Sequence, residues 1–286
     1  MTRWFSSLCR AGALALLLTL LCTATSTRAA APFELKDGDR VVFLGDTLIE
    51  REQHYGWIEL MLTTRFPDRK VTFRNLGWSA DLPNGESRLG LSLRQAGVEP
   101  EGEGWDLLQK QIEETKPTVA FIGYGMAASF DGAAGLPKFK ADYERLIDAI
   151  EKISPGCRFV LLSPIKHEKL PAPLPDPAKH NEELYQYRTV IEAIAKQRRA
   201  EFANLFTQAL PFKAPPTSGR SAYPTENGIH LNETGYIQTT IDLQYRLFDG
   251  RHNWIEVDGR RRPVAEAIRQ VILRKNEFFF HRSRPA

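Results

Sequence analysis

A threonine hydroxyl and a histidine imidazole, each set in a turn, are the side chains of this sequence best placed to do chemistry. Thr47 follows the apolar run Val41-Val42-Phe43-Leu44 across Gly45-Asp46. A buried strand that breaks at such a turn leaves the next hydroxyl at the carboxyl end of a sheet, where doubly wound α/β proteins hold their ligands. Far downstream, Asn227-Gly228-Ile229-His230 offers an imidazole, with Glu226 immediately before it. A hydroxyl and an imidazole brought together can attack an acyl carbon, provided that N–H donors hold the oxyanion that forms. Plainer roles compete for the same residues. Asp46 and Thr47 could cap the turn or helix that follows. His230, just ahead of Asn232 and an expected helix start, could be a structural hydrogen-bonder.

The elements that must position these residues alternate as βαβ units do. Five short apolar runs read as buried strands: Arg40–Leu44, Val71–Leu76, Thr118–Gly123, Arg158–Ser163 and Glu201–Phe206. Continuous apolar runs are expected of parallel strands covered on both faces. Helical patterns lie near Gly56–Phe66, Trp105–Thr115, Leu136–Ile153 and Asn181–Arg199. Within the third, Leu136, Phe139, Tyr143, Leu146, Ile147 and Ile150 recur at the i, i+3, i+4, i+7 spacing and should face the sheet. Right-handed crossovers then favour an open five-stranded parallel sheet of flavodoxin-like order, a three-layer α/β/α domain over 31–286. Two Pro-rich loops, Pro164–Lys179 and Thr207–Glu226, should follow carboxyl strand ends, as walls of the crevice or as solvated connectors. A helix from Gly235 to about Phe248, a hairpin at Trp254–Gly259 with an Asp-Gly turn, and a final helix from Pro263 complete the chain.

Four segments, in order, carry a family resemblance. They are Gly45-Asp46-Thr47, Asn75-Leu76-Gly77-Trp78-Ser79-Ala80-Asp81, Gly123-Tyr124-Gly125-Met126-Ala127-Ala128-Ser129-Phe130 and Glu226-Asn227-Gly228-Ile229-His230. Three directly follow an expected strand. Together they resemble the sequence blocks of the SGNH (GDSL-type) esterases and span most of the chain beyond its first thirty residues. The resemblance implies a hydrolase of acyl or acetyl esters, with a carbohydrate as one candidate alcohol, that needs no cofactor. Thr47 would be the nucleophile and His230 the base, with Glu226 or Asn227 orienting the imidazole. The amides of Thr47 and Ala80 would form the oxyanion hole, and Asp46, Gly77, Gly125 and Ala127 would stand on its substrate-facing side.

The blocks depart from the family pattern at specific positions. Thr47 replaces the serine, and its methyl group restricts the side chain and crowds the attack path. Ala80 stands where a glycine is usual, and Ala127 where an asparagine side chain would donate; losing one such donor costs about 10²–10³ in turnover. Asn227 stands where an aspartate is usual, and that change in a triad costs about 10⁴ in rate. These departures open a rival reading: a non-catalytic domain of this fold that binds a saccharide or another protein in the inherited crevice. Trp78 and Tyr124 could stack on a sugar or acyl group or simply pack, and Ser79 and Ser129 read as loop hydrogen-bonders.

The rest of the sequence bounds the setting. With 286 residues, 42% hydrophobic and 26% charged, the chain suits one globular domain. A net charge of +3 without a basic stripe argues against nucleic-acid binding. Arg3 and Arg10, the apolar run Ala11–Cys22 and the small residues near Ala29-Ala30-Ala31 have the layout of a secretory signal peptide. Residues 1–30 are therefore expected to direct export to the periplasm or medium, with no stable membrane insertion after cleavage. Cys9 and Cys22 lie within that segment, leaving Cys157, a core-type thiol, without a disulfide partner. No dinucleotide or P-loop glycine motif is present. His167, Glu168 and His180 lie in or beside a Pro-rich loop without metal-ligand spacing, so no metal is expected.

Overall fold

The computed structural model describes residues 33–88, 102–207, 223–248, 256–257, 260–261 and 263–284. The expected signal segment and most of the second Pro-rich loop lie outside them. Five parallel strands form the sheet: β1 (Arg40–Gly45), β2 (Thr72–Asn75), β3 (Val119–Gly123), β4 (Arg158–Leu162) and β5 (Glu201–Ala203). Their spatial order is β2-β1-β3-β4-β5, the flavodoxin-like order expected. β5 is shorter than the apolar pattern suggested. Asn204 Oδ1 accepts the Phe206 amide at 3.2 Å, an Asx turn that takes the chain out of the sheet.

The helices are α1 (Thr47–Glu52), α2 (Trp57–Arg65), α3 (Glu103–Thr115), α4 (Gly132–Ile153), α5 (Ala178–Arg198), α6 (Glu233–Leu247) and α7 (Pro263–Ser283). Alternate strand residues feed two apolar layers. Val41, Phe43, Val119 and Phe121 pack with α2, α6 and α7. Val42, Leu44, Ala120 and Ile122 pack with α3, α4 and α5. The stripe expected on α4 is seated as its spacing requires: Phe139, Tyr143, Leu146, Ile147 and Ile150 are buried, and Leu136 is partly so. Glu256–Val257 pairs antiparallel with Arg260–Arg261, as a hairpin there requires; its Asp-Gly turn lies outside the described residues. Cys157 is buried at the start of β4, and burial pushes its thiol up to about 12, so it is a packing residue.

Candidate active site

The site forms where β1 and β3 end side by side. A Cβ at Gly45 would lie 2.2 Å from the Gly123 carbonyl oxygen, so the close approach of the two strand ends requires glycine. The next residue, Asp46, is the N-cap of α1, the capping role its sequence position suggested, on a helix too short to show a periodic pattern. Its Oδ1 accepts from the Leu48 amide at 3.2 Å. Its Oδ2 accepts from the amides of Met126 at 3.1 Å and Ala127 at 3.5 Å. Burial raises the Asp46 carboxyl to about 6, against the pull of these three amides.

Thr47 opens α1, and its Oγ1 accepts the Ala80 N–H at 2.9 Å. Ala80 sits at φ 54°, a left-handed conformation that costs a non-glycine residue about 1–2 kcal/mol. The loop carrying it is held by a buried network. Asp81 and Arg88 form an ion pair at 3.0 Å with both side chains fully buried. Arg88 also donates to Gln111 Oε1 at 2.6 Å and to the Leu76 carbonyl at 3.0 Å, while the Tyr124 hydroxyl donates to Asp81 Oδ2 at 3.3 Å. Both terminal nitrogens of Arg88 are partnered while its Nε is not, and breaking such a buried pair would leave an uncompensated charge, which ties the loop to this arrangement. Ser87 adds a bond from its hydroxyl to the Ala80 carbonyl at 2.8 Å.

His230 arrives on the turn between β5 and α6. Asn227 Oδ1 accepts the amides of Ile229 at 3.2 Å and His230 at 2.9 Å, which turns its Nδ2 toward His230 Nδ1 at 3.3 Å. The group facing the ring is therefore an N–H donor, and the neutral imidazole accepts at Nδ1 and carries its proton on Nε2. Burial, then the nearby Arg51, hold the His230 pKa below its usual value. Glu226 does not reach the imidazole: both its oxygens accept from Arg51 Nη2 at 2.9 Å. The turn is strapped to the Pro-rich loop after β4, where Glu168 N–H donates to the Gly228 carbonyl at 2.8 Å and Glu168 Oε2 accepts from Thr225.

Asp46, Thr47, Ala80, Ala127 and His230 line one cavity of about 390 Å³. Gly77, Gly125, Glu226 and Asn227 do not line it. The Gly77 amide donates to Asn75 Oδ1 at 2.9 Å, and a Cβ there would lie 2.5 Å from the Glu50 nitrogen, so Gly77 serves the approach of the loop to α1. Gly125 packs beneath the Pro164 ring. Thr47 Oγ1 and His230 make no hydrogen bond to each other; their contacts are Ala80 and Asn227 respectively. Ala127 presents no side-chain donor, and its amide is directed to Asp46. Trp78 packs under the Arg284 guanidinium at 4.4 Å, away from the cavity. Ser129 is buried and bonds the Met126 carbonyl at 2.7 Å and His180 Nε2 at 2.8 Å.

Some residues around the cavity were not legible beforehand. Phe130 is 63% exposed on the cavity wall, stacked on His180 with ring centroids 4.3 Å apart, and Asp131 lies beside it. Pro164 and Ile165 of the first Pro-rich loop line the cavity, as a crevice wall would. His167 and His180 hydrogen-bond each other at 2.8 Å through their Nδ1 atoms. Among the described residues no group of three or more His, Cys, Asp or Glu side chains is placed to hold a metal, and no helix is long and apolar enough to cross a membrane.

A five-stranded parallel sheet of this order, with a hydroxyl, an amide and an imidazole around one cavity at its carboxyl end, is the α/β fold of the SGNH hydrolases. The GDSL-like lipase/acylhydrolase family matches residues 43–237, and the chain belongs to that family. Membership supports an ester hydrolase acting on a small-molecule or carbohydrate ester. Solved structures share the fold at low identity. A GDSL-like lipase from Parabacteroides merdae aligns with TM-score 0.56 and 14% identity over 76% of this chain and 99% of its own. The acetylxylan esterase Axe2 from Geobacillus stearothermophilus aligns with TM-score 0.53 and 13% identity over 78% and 99%. A gut microbial diltiazem-metabolizing enzyme, BT4096, aligns at TM-score 0.44 and 19% identity over 60% of this chain, which spans 38% of that protein's length. No curated protein matches the sequence significantly.

Proposed function

We propose that this chain is an exported hydrolase of short acyl esters on a carbohydrate, with Thr47 as nucleophile and His230 as general base. The observation that carries the reading is the Ala80 N–H directed at Thr47 Oγ1 at 2.9 Å inside a cavity that His230 also lines. With Oγ1 accepting from Ala80, the hydroxyl proton is free to be given to His230 Nε2 in the tautomer that carries its proton on Nδ1, which the ring takes by giving up the Asn227 Nδ2 contact. Oγ1 then attacks the carbonyl carbon, and the amides of Thr47 and Ala80 hold the oxyanion. Collapse breaks the ester C–O bond, and the imidazolium returns the proton to the leaving alcohol. Water, deprotonated by the same imidazole, then hydrolyses the acyl-threonine. The lowered His230 pKa keeps the ring neutral near pH 7, as a base must be.

Leu48, Met126 and Ile165 give the cavity an apolar side suited to a short acyl chain. Phe130 offers an open aromatic face, and Asp131 and Ser87 offer hydrogen-bonding groups, a combination suited to a sugar ring. Export rests on the layout of residues 1–30, and recovery of a shortened N-terminus from the periplasm or medium would test it. Hydrolysis of an aryl acetate and of acetylated oligosaccharides by the purified protein, beside Thr47→Ala and His230→Ala, tests the chemistry. Turnover lost in both variants is expected; turnover unchanged in either would remove that residue from its role.

A second reading draws on the Asn227 contact and the missing donor at Ala127: a binding domain for saccharides that has lost turnover. It predicts no hydrolysis of any acetylated glycan by the wild type, together with glycan affinity that falls in Phe130→Ala.

A further inference from the structure

The matched family segment ends at residue 237, yet the last helix of the chain reaches the loop that carries Ala80. Beyond α7, Arg284 donates through Nη2 to the Gly77 carbonyl. Its guanidinium lies between two rings, 4.4 Å from the centroid of Trp78 and 4.3 Å from that of Phe280. Nη1 stands 3.9 Å from Glu50 Oε1. Glu50, on α1 three residues after Thr47, accepts the Ser79 hydroxyl on its other oxygen at 3.2 Å. One residue earlier, the Ser283 carbonyl accepts from Gln111 Nε2 at 3.1 Å, and Gln111 Oε1 accepts from Arg88, the partner of Asp81. The last turn of α7 thus grips both ends of the loop, directly at Gly77-Trp78 and through Gln111 and Arg88 at Asp81.

We infer that Arg284 is a positioning residue of the ester site: it clamps the Gly77–Ala80 segment against α1 and so holds the Ala80 N–H on Thr47 Oγ1. This rests on the reading of Ala80 as the oxyanion donor. The contacts are of a kind that only a guanidinium supplies together. A planar group stacks on two aromatic rings while its edge donates to a backbone carbonyl, and a lysine ammonium has neither the plane nor the fork. The half-buried guanidinium, its pKa pushed down to about 10 by burial, has its charge met by the Glu50 carboxylate.

Two readouts on the full chain test the clamp separately from the chemistry. Hydrogen exchange of the peptide covering residues 76–82 is compared in wild type, Arg284→Ala, Arg284→Lys and Arg282→Ala; the last alters an exposed neighbour in the same turn. Exchange tenfold faster or more is expected in both Arg284 variants and not in Arg282→Ala, with thermal midpoints close to wild type. Unaltered exchange in Arg284→Ala would overturn the clamp whether or not the protein hydrolyses esters. With an aryl acetate, kcat should fall about tenfold to 10²-fold in Arg284→Ala with KM nearly constant, as expected when an oxyanion donor is displaced. Millimolar guanidinium should restore much of that loss in Arg284→Ala and leave wild type unaffected. Loosened exchange with unchanged kcat would overturn the assignment of Ala80 as donor, and with it the catalytic part of this inference.

Discussion

The Asn227 side-chain amide faces His230 Nδ1 as a donor at 3.3 Å, held there by two backbone N–H groups on its own oxygen. A base that takes a proton from Thr47 through Nε2 needs the opposite tautomer, with its proton on Nδ1. A carboxylate at position 227 would accept that proton and stabilise the imidazolium. Asn227→Asp is therefore expected to raise kcat on an aryl acetate by about 10–10³-fold, part of the roughly 10⁴ that an aspartate contributes in a complete triad. Steady-state kinetics across pH 5–9 checks it. An unchanged kcat would show that His230 does not limit the reaction.

Two other departures lie on the cavity wall. Thr47→Ser removes the methyl that restricts the nucleophile, and Ala127→Asn supplies a side-chain donor where none stands. Thr47→Ser is expected to raise kcat several-fold, and Ala127→Asn by about tenfold to 10²-fold, with the second gain lost when Asn is replaced by Leu. Burst kinetics with a chromogenic acetate would separate acylation from turnover.

The Asp81–Arg88 pair is fully buried, so removing one partner strands the other. Arg88→Ala should destabilise the protein by about 3–5 kcal/mol in urea unfolding. A loss below about 1 kcal/mol would mean that the loop between Asp81 and Arg88 tolerates an unpaired carboxyl, contrary to the network described.

Glu52 gives a stability prediction with a defined sign. Its carboxyl is buried, with one oxygen accepting the Ile58 amide at 2.6 Å, and burial raises its pKa to about 8. The folded protein therefore keeps a proton that the unfolded chain releases above about 4.3. Stability from this group falls as pH rises from about 4.3 to 8 and levels off beyond. Glu52→Gln should flatten that decline in thermal midpoints measured from pH 5 to 8.5. An identical slope in the two proteins would place the group's pKa near its ordinary value.

The three central strands β1, β3 and β4 were legible because parallel strands buried on both faces are written as apolar runs, whereas the edge strands β2 and β5 are only partly buried. The stripe from Leu136 to Ile150 was equally plain, since one periodicity serves one face. The cavity residues Thr47, Ala80, Ala127 and His230 were found through block order rather than periodicity. Asn227 and Glu226 could not be separated in sequence, because the choice turns on a rotamer and on Arg51, which lies 175 residues from Glu226. α1 was foreseen only as the turn or helix that Asp46 could cap, because six residues are too short for a helical pattern. Arg88 and Arg284 escaped notice for another reason: a buried arginine reads in sequence like a solvated one, and only its partners distinguish it.

The carboxyl of Asp46 joins two blocks that lie 80 residues apart, since it flanks Thr47 and accepts the amide of Met126. Their substitutions should not be independent. Changes in residues that share a partner couple by about 0.5–3 kcal/mol, so restoring Ser at 47 and Asn at 127 together would depart from the product of the separate gains. A route back to the usual pattern is then history-dependent: the benefit of either step is set by whether the other has already been taken.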